Sequence, residues 1–217
     1  MPKFTTAIFD MDGVVIDSEA HYHKADAAFL GKYGAPYDPK VISPLLIGRN
    51  LKEGTGILKE MFGLGADLEQ LFLERRALFA GVTENFVGYM PGFKEFFQLI
   101  KAKNLKACIA TSGDDNVIEA IEKSLKLSQY FGSNIFRSSQ VGNKSKPDPA
   151  IFLYAAQQMG ARPEDCFVIE DAPRGVEAAK RAGMFCFGLA GTFIREKLVG
   201  ADIIVDSFAE IKENMLA

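Results

Sequence analysis

Short unbroken apolar runs alternate along most of this chain with stretches whose apolar residues recur every three to four positions, the marks of buried strands and amphipathic helices. Thr5-Thr6-Ala7-Ile8-Phe9 is a β-prone run that ends at Asp10 and predicts a buried strand, followed by a turn at Met11-Asp12-Gly13. From Pro91 onward the alternation is regular. It predicts helices over 91–104, 115–125, 148–159 and 173–182, with strands at 107–111, 135–136, 166–169, 185–189 and 202–205. A closing helix is predicted over 208–215. Between Ala20 and Val87 the character changes. Helical recurrences at 20–33, 51–62 and 67–86 are broken by Gly34-Ala35-Pro36, Ser43-Pro44 and Gly63-Leu64-Gly65, and no run there reads as a strand.

Strands that are apolar throughout and alternate with helices imply an α/β fold, a parallel sheet covered on both faces. The stretch from Ala20 to Val87 reads as a small all-helical bundle set into it, its packing core supplied by Phe29, Phe62, Phe72, Phe79 and Phe86. Ligands of such sheets gather beyond the carboxyl ends of the strands, at a topological switch point. Functional residues are therefore expected just after Phe9, Ala110 and Ile169.

Composition narrows the class without naming a function. A chain of 217 residues with 48% hydrophobic and 24% charged residues buries a proper core without disulfides or a structural metal. A net charge of -3 and a pI of about 5.5 give no broad attraction to nucleic acid. The N-terminal Met1-Pro2-Lys3-Phe4-Thr5-Thr6 lacks the layout of a signal peptide, and no apolar run approaches the roughly 20 residues needed to span a bilayer. Cys108, Cys166 and Cys186 sit in apolar surroundings and read as buried hydrophobes of a reducing compartment, so the cytoplasm is the expected location.

Polar clusters fall on the predicted strand ends: Asp10-Met11-Asp12-Gly13, Thr111-Ser112-Gly113 and Glu170-Asp171. A fourth, Lys144-Ser145-Lys146-Pro147-Asp148-Pro149, precedes a helix. Each has an ordinary explanation. Asp-x-Asp is common in turns, Thr111-Ser112 would cap the next helix, Glu170-Asp171 suits a helix N-terminus, and Lys146 could be one more solvated lysine. Their joint placement in one βα sheet is far more specific. If the strands ending at Phe9 and Ile169 are neighbours, several carboxylates converge on one small volume, where they repel strongly. A hard divalent cation relieves that repulsion, and Mg²⁺ is the usual choice where phosphate is the partner.

These clusters, in this order, resemble the motifs of the haloacid dehalogenase-like hydrolase superfamily. Phe9-Asp10-Met11-Asp12-Gly13-Val14-Val15-Ile16-Asp17-Ser18 is similar to its first motif, Ile109-Ala110-Thr111-Ser112-Gly113 to the second, and Lys146-Pro147-Asp148-Pro149 to the third. The run Ile169-Glu170-Asp171-Ala172-Pro173-Arg174-Gly175 is similar to the fourth. The resemblance implies a Rossmann-like core of residues 1–17 and 88–217 with an inserted helical cap of 18–87, as in the phosphatase and β-phosphoglucomutase-like branch. It implies Asp10 as nucleophile, Asp12 as general acid/base, and Mg²⁺ held by Asp10, the Asp12 backbone carbonyl and Asp171, with Glu170 in or near the shell. Thr111 and the backbone N–H groups of Ser112 and Gly113 would then bind phosphate oxygens, and Lys146 would balance their charge. The second aspartate argues against dehalogenase chemistry, since the family's dehalogenases lack it.

Three departures separate the chain from a β-phosphoglucomutase. Tyr22 stands where the mutase has a histidine, flanked by His21 and His23; Arg49 is shifted relative to the mutase's cap arginine; and Asp114 replaces a lysine. The expectation is a monomeric phosphatase of a small phosphorylated metabolite such as a sugar phosphate, with no nucleic-acid or membrane partner. A phosphomutase and a non-catalytic phosphometabolite-binding protein are the alternatives. Within the cap, Arg49 is the substrate-contacting candidate, whereas His21, His23, Arg75 and Arg76 read as exposed helix residues.

Overall fold

The computed structural model describes residues 4–83 and 88–216. Six parallel strands form one sheet among them: β1 (Thr6–Phe9), β2 (Lys106–Thr111), β3 (Ile135–Arg137), β4 (Cys166–Glu170), β5 (Phe185–Leu189) and β6 (Ile203–Val205), in the order β3-β2-β1-β4-β5-β6. The chain builds outward from β1 to β3 on one side, then crosses back to lay β4 to β6 on the other. The switch point therefore lies beside β1.

Alternate residues of the central strand serve opposite faces. Phe9 packs with Phe93, Phe97 and Phe131 in one apolar cluster, while Ile8 packs with Cys108, Val168 and Phe152 in another. On the first face lie α5 (Phe93–Ala102), α6 (Asp115–Leu125) and the short α7 (Ser128–Phe131). On the second lie α8 (Ala150–Gln158) and α9 (Pro173–Arg181). All three cysteines are buried and free, as their apolar settings predicted.

Between β1 and α5 the described residues form four helices, α1 (Glu19–Lys32), α2 (Pro39–Leu46), α3 (Leu51–Phe62) and α4 (Leu68–Thr83), with their own cluster of Phe29, Leu30, Ile42, Leu58, Leu64 and Leu71. Helix α2 went unpredicted because Ser43-Pro44 reads as a break. It forms because Pro39 starts it with a pre-set φ and the Asp38 side chain caps it, accepting from Lys40 N at 2.9 Å. Pro44 lies inside it, so the helix forgoes the bond that a residue-44 N–H would make to the Lys40 carbonyl.

Other differences are local. Helix α5 begins two residues later than the sequence pattern and α8 starts at Ala150. The end of the predicted 67–86 helix, with Phe86, lies outside the described residues. Phe79 is buried, but against the sheet-side cluster instead of the helical one. The expected closing helix over 208–215 is two separate 3₁₀ turns, Phe208–Glu210 and Glu213–Met215, because the backbone is extended at Ile211 and Lys212. No helix among the described residues is long and apolar enough to cross a membrane.

Candidate functional site

Strand register sets the site. Phe9 pairs with Ile109 on one side and Ile169 on the other, so the next residues, Asp10, Ala110 and Glu170, emerge at one level. The Asp10 N–H extends the ladder by donating to the Ile169 carbonyl at 3.0 Å, which fixes the Asp10 backbone before its side chain leaves the sheet. Asp10, Glu170 and Asp171 are buried, and each brings a carboxylate oxygen within 4.8 Å of the others.

Lys146 enters this cluster from the segment before α8. Its ammonium is 1% exposed, donates to Asp10 Oδ1 at 2.5 Å and Glu170 Oε1 at 2.6 Å, and lies over the Phe152 ring. Burial alone would lower its pKa, but the two carboxylates more than offset that and hold it charged. Glu170 is satisfied on both oxygens, since Oε2 accepts from Ala172 N at 2.9 Å. Burial nonetheless pushes its pKa up to about 7, against the pull of Lys146. Burial, reinforced by the Glu170 and Asp10 charges, pushes Asp171 well above the usual carboxylate range. Three carboxylates facing one ammonium leave negative charge unbalanced in a dry site, and the donors are all oxygen. That set fits a hard divalent cation. The Asp12 side chain is not part of the cluster, which leaves Asp12 only its backbone carbonyl for a metal.

Two glycines make the cluster possible. A Cβ on Gly13, whose φ is +71°, would fall 1.9 Å from Asp171 Oδ2, and one on Gly175 would fall 1.7 Å from Glu170 Oε1. Both carboxylates occupy space that any side chain would fill.

Asp12 has a different setting. Its carboxyl meets the hydroxyls of Ser18 and Tyr22, while its buried Oδ1 has no hydrogen-bond partner. Burial, then the Asp10 charge, raises its pKa to about 6. Across the cavity the buried Ser112 hydroxyl is likewise unpartnered. Both residues line one cavity. Thr111 is buried beside them, and its Oγ1 accepts from Gly113 N at 2.9 Å. The Gly113 N–H expected to meet phosphate is engaged within the loop in this geometry.

The helical insert roofs a cavity of about 240 Å³ whose floor is the carboxylate cluster. Arg49 lines it and is ion-paired to Glu53. Two expectations for the insert are corrected. His23 lines the cavity and shares a 2.9 Å hydrogen bond with Ser43 on the unpredicted α2. Arg75 is 3% exposed, because Asp26 on α1 pairs with its Nε at 2.7 Å and the Leu51 carbonyl accepts from Nη1 at 3.0 Å. Tyr22, singled out only as a departure from the mutase, reaches Asp12 from α1.

Comparison with known proteins places this geometry. A family model described as haloacid dehalogenase-like hydrolase matches residues 4–183. The chain is 35% identical over 183 residues to the phosphorylated carbohydrates phosphatase of Thermotoga maritima, covering 82% of this chain and 81% of that one. It is 29% identical over 209 residues to the validoxylamine A 7'-phosphate phosphatase of Streptomyces hygroscopicus subsp. limoneus, covering 96% of each. Among solved structures, β-phosphoglucomutase from Clostridium difficile superposes with a TM-score of 0.84 at 25% identity, covering 98% of this chain and 95% of that one.

Proposed function

The chain belongs to the haloacid dehalogenase-like hydrolase family, and from that premise we propose that it is a Mg²⁺-dependent phosphatase of a small phosphorylated metabolite, of the sugar-phosphate kind. The observation that carries this reading is the meeting of Asp10, Glu170, Asp171 and Lys146 under a roofed cavity. The names of the Thermotoga and Streptomyces relatives, both phosphatases of phosphorylated small molecules, agree with it.

Asp10 attacks phosphorus, and the bond from phosphorus to the leaving oxygen breaks as an aspartyl-phosphate forms. Asp12, whose pKa of about 6 leaves part of it protonated near neutrality, gives its proton to that oxygen. As a carboxylate it then takes a proton from water, which attacks phosphorus and releases phosphate and free Asp10. Lys146 offsets the charge on nucleophile and phosphoryl group throughout, and the Ser112 hydroxyl and Thr111 orient the phosphoryl oxygens. A divalent cation held by Asp10 and Asp171, with Glu170 beside them, would stabilise the charge that builds on those oxygens.

Tyr22 favours hydrolysis over the mutase reaction. Burial and the Asp12 charge raise its pKa well above the usual phenol range, so it stays protonated. A neutral phenol holds Asp12 in place without competing for the proton that Asp12 gives to the leaving oxygen and takes back from water. The test is a panel of p-nitrophenyl phosphate and sugar phosphates with Mg²⁺ or with EDTA. Phosphate release and conversion of β-glucose 1-phosphate to glucose 6-phosphate are followed separately. Metal-dependent phosphate release supports the proposal; isomerisation with little release overturns it in favour of a mutase.

A further inference from the structure

Asn50 joins the helical insert to the segment that carries Lys146. It is the N-cap of α3, its Oδ1 accepting from Glu53 N at 2.8 Å. Its remaining polar hydrogens point the other way. Asn50 Nδ2 donates to Ser145 Oγ at 2.7 Å and to the Asn143 carbonyl at 3.0 Å, and its backbone N–H donates to the same Ser145 Oγ at 3.1 Å. Ser145 directly precedes Lys146, so three hydrogen bonds from one insert residue fall on the two residues that lead into the buried ammonium. One helical turn on, Glu53 faces Arg174 of α9 at 3.8 Å, so the same end of α3 also meets the segment after β4.

We propose that Asn50 and Ser145 are positioning residues for phosphoryl transfer. When the insert sits over the cavity, Asn50 fixes residues 143–145, and that fixes the Lys146 ammonium between Asp10 and Glu170. When the insert lifts, these bonds break and Lys146 loses its anchor. Charge compensation of the nucleophile is then complete only while the cavity is roofed, and an open site exposes substrate to little activated Asp10. This positioning role rests on the phosphatase reading, since it needs Lys146 to balance the nucleophile's charge. Its physical basis is the lack of slack around Lys146. A fully buried ammonium held by two carboxylates at 2.5 and 2.6 Å has one productive position, and a displacement of about 1 Å at a reacting centre lowers rates by about 100-fold.

Three variants separate this role from helix stability. Ser145→Ala removes the acceptor and leaves α3 untouched. Asn50→Ser keeps a capping side chain but is too short to reach Ser145. Ser145→Thr retains the hydroxyl. In Mg²⁺ with p-nitrophenyl phosphate, each of the first two is expected to lower kcat by about 10- to 100-fold with little change in KM. The double variant Asn50→Ser/Ser145→Ala should be no worse than either single one, and Ser145→Thr should recover most of the rate. Singles within twofold of the parent, or a double variant whose loss is the product of the single losses, overturn the proposal. Hydrogen exchange supplies a readout that needs no turnover. Residues 143–146 should exchange faster in Asn50→Ser than in the parent, and equal exchange overturns the proposal even if no substrate is found. A parent protein that turns over no phosphate ester contradicts the phosphatase reading alone.

Discussion

Asp10 and Asp12 are two positions apart in the chain, yet their surroundings differ in the way the two proposed tasks require. Asp10 carries the Lys146 ammonium on Oδ1 at 2.5 Å, which suits a group that must act as an anion. Asp12 is turned toward Ser18 and Tyr22, and burial keeps its proton until about pH 6. Two substitutions separate these roles. Asp10→Asn should abolish turnover while leaving the melting temperature near that of the parent. Asp12→Asn should lower kcat by about 10²–10⁴-fold, the usual size of acid/base catalysis, in steady-state assays. A loss of only a few fold would show that another group handles the proton. Gly175→Ala tests the packing beneath. The new Cβ would fall 1.7 Å from Glu170 Oε1, so the carboxyl must leave Lys146, and both melting temperature and kcat should drop.

At the scale of elements, what could be read from the chain was whatever depends on neighbours in sequence. The strands betray themselves as apolar runs ending on polar residues, and Asp10, Thr111 and Glu170 follow from those ends. What escaped depends on distant partners. Helix α2 was hidden because its cap at Asp38 and its proline start had to outweigh Pro44, a balance no local pattern decides. Arg75 read as solvated because its partner, Asp26, lies 49 residues away on α1. The engagement of Gly113 N–H by Thr111 Oγ1 is likewise a matter of loop geometry. The buried pair between α1 and α4 makes its own prediction. Arg75→Met strands the Asp26 carboxylate in an apolar setting and should cost about 3–5 kcal/mol in denaturant unfolding, while adding Asp26→Leu should recover most of it. Equal stability of the single and double variants would mean that water reaches Asp26.

For the molecule as a whole, the buried carboxyls couple stability to protons and, under the proposed function, to a metal. Asp12 and Glu170 have folded-state pKa values raised to about 6 and about 7, above their unfolded values near 4. The folded state therefore binds more protons than the unfolded one across this window. Their contribution is fully present below about pH 4 and is lost as pH rises through about 7. A divalent cation held by Asp10, Glu170 and Asp171 would compete with the protons on Glu170 and Asp171. The rise in melting temperature on adding Mg²⁺ should thus be larger at pH 8 than at pH 5.5. A Mg²⁺ effect that is equal at both values, or greater at the lower, would place the ion elsewhere on the protein.

The central claim is that Asp10 becomes phosphorylated during turnover. An acyl phosphate is reduced by borohydride, which would convert Asp10 to homoserine, a change that peptide mass spectrometry locates. The protein should be quenched during turnover of a sugar phosphate in Mg²⁺, reduced and digested. The account predicts homoserine at position 10, absent when EDTA or Asp10→Asn is used. Phosphate release with no label at Asp10, or a label on another residue, would contradict it.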